Sequence, residues 1–154
     1  MSSITIKRLQ NELSTIEKRP LKDMTVELVD SRDLFHWKAA IKGPLNSPYA
    51  NGYFLLDIQI PQEYPFAPPK VMFVTRIFHP NISSEGNICF RKSDWTSALN
   101  ITDVLFTILD LLEYPDLDKP GRSQIIHMAK ENYQRYYWFA KRFTEKYALK
   151  ALPL

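Results

Sequence analysis

Between residues 25 and 74 the chain reverses direction too often for anything but an antiparallel sheet. Period-two or apolar runs at 25–29, 35–41, 53–60 and 71–74 alternate with pieces rich in Asp, Ser, Asn, Gly and Pro. The connections at 30–33 and 43–52 are shorter than a parallel crossover needs, so successive runs are predicted to pair as a meander. The third connection, 61–69, holds Pro61, Pro65, Pro68 and Pro69, which no regular element tolerates. A helix is predicted before the sheet: Ile6, Leu9, Leu13 and Ile16 recur at helical spacing over 4–18, and Pro20 ends the run.

Beyond the fourth run the pattern changes. No period dominates 76–100, a long irregular passage of the kind that carries function when it is ordered. The chain then turns helical. Thr102 and Asp103 are predicted to cap a run with Val104, Leu105, Ile108, Leu111 and Leu112 on one face, closed by Pro115. Helices follow at 123–130 and 132–149. In the last of these Tyr133, Tyr136, Tyr137, Ala140, Phe143 and Tyr147 lie three and four apart and are read as packing surface rather than a base-stacking platform. The expected architecture is one α+β domain over 1–154: an N-terminal helix, a four-stranded antiparallel sheet, an irregular loop, then C-terminal helices.

Composition narrows the function classes. A content of 45% hydrophobic and 13% aromatic residues describes a packed globular chain. A net charge of +3 spread over scattered lysines and arginines argues against nucleic-acid binding. The single cysteine, Cys89, cannot close an internal disulfide, which fits a reducing cytoplasmic or nuclear setting. The most apolar stretch, 101–112, is broken by Asp103 and Asp110, so neither a membrane span nor export is expected.

Cys89 stands in the run HPNISSEGNICFRKSDW, His79 to Trp95. Arg91 and Lys92 would lower the thiol pKa if they faced it, yet cations in a surface loop are commonly solvated. A hydrolase would need a histidine base, and nothing places His36 or His127 beside the cysteine. His79 is held extended by Pro80 and is read as a loop-holding ring rather than a proton carrier. Asn81 offers an amide that suits either a turn or an oxyanion. From spacing alone these readings stay open.

The motifs His79-Pro80-Asn81-Ile82, Gly86-x-Ile88-Cys89 and Trp95-x-x-Ala98-Leu99-x-Ile101 resemble the active-site segment of the ubiquitin-conjugating enzymes. The resemblance extends to KRLQNEL, FHWKAAIKGPLNSPYANGYF, YPFAPPKV, TRIFHPNI and FTEKYA, nearly the whole chain. It implies the UBC fold, acting as a monomer without metal or nucleotide. The implied activity is acceptance of ubiquitin or a ubiquitin-like modifier from an activating enzyme (E1) as a thioester, then transfer onward with a ligase (E3). On matching positions it makes Cys89 the nucleophile, Asn81 the oxyanion or loop-positioning amide, and His79 with Pro80 the scaffold of the turn. Lys7, Arg8, Phe66, Ser97 and Ala98 match positions that meet ligases. Where relatives carry acidic residues for an incoming lysine, this chain has Arg91 and Lys119, with Asp94, Asp116 and Asp118 close enough in sequence to substitute. The pattern favours ligases with a catalytic cysteine of their own, the HECT and RBR types, over RING ligases. It also leaves an inert variant, binding modifier or ligases without transfer, as the alternative.

Overall fold

The computed structural model describes residues 3–88 and 94–153. Helix α1 (Ser3–Lys18) leads into strands β1 (Met24–Leu28), β2 (His36–Lys42), β3 (Tyr53–Gln59) and β4 (Lys70–Phe73), paired in chain order and antiparallel throughout. Helices α2 (Ile101–Glu113), α3 (Ser123–Glu131) and α4 (Tyr133–Tyr147) complete the order. This is the predicted α+β meander with C-terminal helices, and its strand ends lie within one or two residues of those predicted.

The register explains why one face of the sheet became the core. Val26, Ala39, Leu56 and Phe73 form one cross-strand row, and Leu28, Trp37, Ile58 and Val71 form the next. Trp37, Ala39, Leu56, Ile58, Val71 and Phe73 in these rows are buried. The opposite face carries Glu27 facing Lys38, paired at 3.3 Å, and His36 bonded to Asp57. Alternation along the central pair therefore places the charged residues on the outer face, where Ala40 and its cross-strand partner Leu55 are the apolar exceptions.

Helix α2 begins earlier than predicted. Asn100, not Thr102 or Asp103, is the N-cap: its side chain accepts from the Asp103 N–H, and the Asp103 carboxylate accepts from the Asn100 N–H. Asp103 thus completes a reciprocal capping box from the third helical position, and Ile101 enters the core as the first. On α1, Thr5 is buried where a purely apolar stripe was expected, because its hydroxyl donates to the Tyr64 carbonyl at 2.6 Å. On α4 the buried residues are Tyr136, Ala140 and Thr144, whereas Tyr133, expected in the packing surface, is 46% exposed. Among the described residues no helix is long and apolar enough to cross a membrane.

Candidate active site

The His79-Pro80-Asn81 turn is buried. His79 and Asn81 are both 0% exposed, and each spends its polar groups inside the protein. His79 Nδ1 accepts the Asn81 N–H at 2.9 Å, so the proton sits on Nε2, which donates to the Leu111 carbonyl of α2 at 2.7 Å. Burial pushes the His79 pKa down to about 4, although the Leu111 bond works the other way. At neutral pH the ring is therefore uncharged, with neither nitrogen left to carry a proton elsewhere. The next carbonyl, Pro80, accepts the Arg122 N–H at 2.8 Å. The chain passes so close there that a Cβ on Gly121 would lie 2.3 Å from the Pro80 oxygen.

Asn81 reaches across to the loop after α2. Its Nδ2 donates to the Asp116 carbonyl at 2.8 Å and its Oδ1 accepts the Asp116 N–H at 2.9 Å. The side chain thereby mimics a strand partner and fixes one residue of the opposite loop by both of its backbone polar groups. Asp116 in turn organises its own surroundings. Its carboxylate accepts the Asp118 N–H at 3.0 Å and lies 3.9 Å from Lys119 Nζ. Lys119 Nζ also lies 3.7 Å from Asp94, and its side chain is only 18% exposed. Of the acidic residues that sequence offered as substitutes, Asp94 and Asp116 thus meet one cation, while Asp118 is exposed and joins the cluster through its N–H.

This cluster rims a groove of about 320 Å³ whose apolar lining includes Pro69, Trp95, Leu99, Val104, Leu111 and Tyr114. After the buried turn the chain continues through 82–88. Gly86 has φ +94° and its carbonyl accepts the Phe73 N–H at 2.9 Å, and a Cβ there would lie 2.1 Å from the Phe73 oxygen. Bridges from Met72 to Asn87 and from Ile82 to Ile88 hold the segment beside β4. The next residue is Cys89. Cys89, Arg91 and Lys92 lie outside the described residues. His36 pairs with Asp57 on the outer face of the sheet, and His127 is exposed on α3.

The predicted partner positions gather around a second hub, which sequence reasoning missed. Glu12 accepts from Arg8 at 3.1 Å, from the Tyr64 hydroxyl at 2.6 Å and from the Ile101 N–H at 2.9 Å. It so joins α1, the proline loop and the start of α2. The only trace of this in the sequence is the spacing of four between Arg8 and Glu12, which any surface ion pair shares. Arg8 adds bonds to the Ser97 and Leu99 carbonyls, and Trp95 Nε1 donates to the Pro65 carbonyl at 2.9 Å. Around this frame Phe66 is 78% exposed, and Lys7, Ser97 and Ala98 are exposed as well. Arg8 differs from these neighbours, since its guanidinium is engaged in holding the loop.

A meander followed by a buried His-Pro-Asn turn, a clamped loop and an exposed proline-loop aromatic is a UBC-type arrangement, and comparison with known proteins agrees. The ubiquitin-conjugating enzyme family model matches residues 8–144. The crystal structure of a candidate ubiquitin-conjugating enzyme from Plasmodium yoelii is similar at 40% identity and a TM-score of 0.88, covering 99% of each chain. The conjugating domain of a Toxoplasma gondii ubiquitin-conjugating enzyme shares 39% identity at a TM-score of 0.84, over 94% of this chain and 99% of that one. This chain belongs to the ubiquitin-conjugating enzyme family.

Proposed function

We propose that the chain carries ubiquitin or a ubiquitin-like modifier as a thioester on Cys89. In the loading step the Cys89 thiolate attacks the thioester carbonyl held by the activating enzyme; a new C–S bond forms and the activating enzyme's thiolate leaves. In the second step an acceptor attacks the same carbonyl and the Cys89 thiolate departs. A thioester is already activated, so the work of the protein is alignment and charge stabilisation rather than difficult proton transfer. The observation that carries this reading is the double hydrogen bond from Asn81 to Asp116. It supports a role for Asn81 in holding the loop that faces the acceptor. His79, neutral and doubly bonded, supports the same frame from beneath. Charging the protein with activating enzyme, ATP and modifier tests the reading on a non-reducing gel. A reducible adduct is expected, with Cys89→Ser giving a thiol-resistant ester. An adduct retained by Cys89→Ala overturns the assignment.

The acceptor is proposed to be a ligase thiol in preference to a free lysine. Lys119 supports this, because it engages the two carboxylates, Asp94 and Asp116, that could otherwise orient an incoming amine. A thiolate needs no such help. Discharge of the purified thioester onto free cysteine is expected to outpace discharge onto free lysine, and equal rates would refute the preference. Ligases with their own catalytic cysteine are the expected partners, docking at Lys7, Phe66, Ser97 and Ala98.

A further inference from the structure

Helix α4 turns an unusual face outward. It carries Arg135, Lys141, Arg142 and Lys146 against the single acid Glu145, so the whole of the chain's formal +3 resides on this helix and the remainder is balanced. Among the described residues none of these four cations forms an ion pair. Three of them, Arg135, Arg142 and Lys146, lie on aromatic rings instead. The Arg142 guanidinium sits 5.5 Å from the centroid of Trp138, that of Arg135 sits 5.7 Å from Phe139, and Trp138 meets Phe139 edge to face at 4.9 Å. Trp138 is 55% exposed although the opposite side of the helix, at Tyr136, Ala140 and Thr144, is buried.

We infer that this face of α4 is a docking surface for an acidic protein segment: carboxylates flanking one apolar or aromatic side chain. Arg135, Trp138 and Arg142 follow at three and four residues and so share one face of the helix. The two arginines stand about 10 Å apart along the axis, the rise of seven residues, which sets the spacing of the carboxylates they fit. Stacking on aromatic rings holds each guanidinium in place while leaving its N–H fork free, so little freedom is lost on pairing. Arginine and tryptophan side by side are also the residue types that dominate interface energetics. A membrane is a poorer occupant, because the apolar stripe such binding needs is the one already buried in the body. Single-stranded nucleic acid is poorer too, since the exposed indole of this face already has a guanidinium over it. The surface shares no residue with Lys7, Phe66, Ser97 or Ala98, and it is independent of the function proposed above.

The test uses the full chain without modifier. A fluorescein-labelled dodecapeptide with four Asp and Glu residues set around one Phe is titrated by anisotropy, and its site is mapped by amide NMR shifts. Binding is expected, with the largest shifts at 135–142, a loss of affinity of tenfold or more in Arg142→Glu and in Arg135→Glu, and a similar loss in Trp138→Ala. Phe66→Ala should bind as the parent does. The same peptide with Asn and Gln in place of its acids should not bind. Thermal melts accompany each variant, and Arg142→Gln reads the charge alone if Trp138→Ala fails to fold. The inference is overturned by no binding, by shifts centred elsewhere, or by affinity indifferent to both charge reversals. It is equally overturned if vesicles with 30% phosphatidylserine or a single-stranded oligonucleotide bind this face more tightly at the same salt, or if the chain instead self-associates through it on sedimentation.

Discussion

At Asn81 a single side chain replaces two backbone hydrogen bonds that a strand would have made. Asn81→Ala leaves the Asp116 N–H and carbonyl unpaired in a covered position, at a cost of roughly 3 kcal/mol in stability. A lowered melting temperature together with slowed discharge is the expected pair of results; slowed discharge at an unchanged melting temperature would give the residue a direct role at the oxyanion instead. His79 supplies a pH signature. Its folded pKa, about 4, lies below the ordinary 6.5 because burial disfavours the imidazolium. Between these values the unfolded chain binds the extra proton, so stability is full above pH 6.5 and falls as the pH drops toward 4. The total is about 3 kcal/mol. Denaturant titrations at pH 7 and pH 4.5 measure it, and His79→Gln should flatten the difference even if it is less stable throughout. Lys119→Met frees Asp94 and Asp116, and discharge onto lysine is expected to rise about tenfold or more while discharge onto cysteine is unchanged. The turn and its candidate amide were legible in sequence because proline and local geometry announce them. Their partners were not: Leu111 and Asp116 lie 32 and 35 residues away, and only the tertiary fold chooses them.

Among the elements, strands were the most legible, since burial of one face enforces a period of two and a slip of one residue would bury Lys38 and Asp57. Helix starts were less so. The sequence predicts the cap at Thr102 or Asp103 and passes over Asn100, a residue of the same capping type; the reciprocal bonds of the capping box decide for Asn100. Asn100→Ala should destabilise the protein by about 1 kcal/mol, whereas Thr102→Ala should change the melting point little. Parallel melts of the two variants compare the assignments directly. The aromatic run of α4 read as packing surface because spacing at three and four describes a face without saying which way it turns. Tyr136 goes in, while Trp138 and Tyr133 go out.

At the scale of the molecule, Glu12 ties three distant segments into one frame, and sequence could not show it because its partners other than Arg8 are a phenol and a backbone N–H far along the chain. Phe66 stands on that frame without being part of it. Phe66→Ala should leave the melting temperature unchanged and weaken ligase binding by roughly 2 kcal/mol, measured by calorimetry against a ligase domain; a lower melting temperature with binding intact would make the ring structural. Arg8 and Lys7 show why such separation matters. They are adjacent on one turn, yet Arg8 grips the Ser97 and Leu99 carbonyls while Lys7 faces solvent. An alanine scan would score both as contacts, although Arg8→Ala acts by loosening the loop that presents Ala98. A substitution at Lys7, Phe66 or Ala98 therefore alters an exposed surface and leaves the frame intact, whereas one at Arg8 or Glu12 unties segments far apart in the chain.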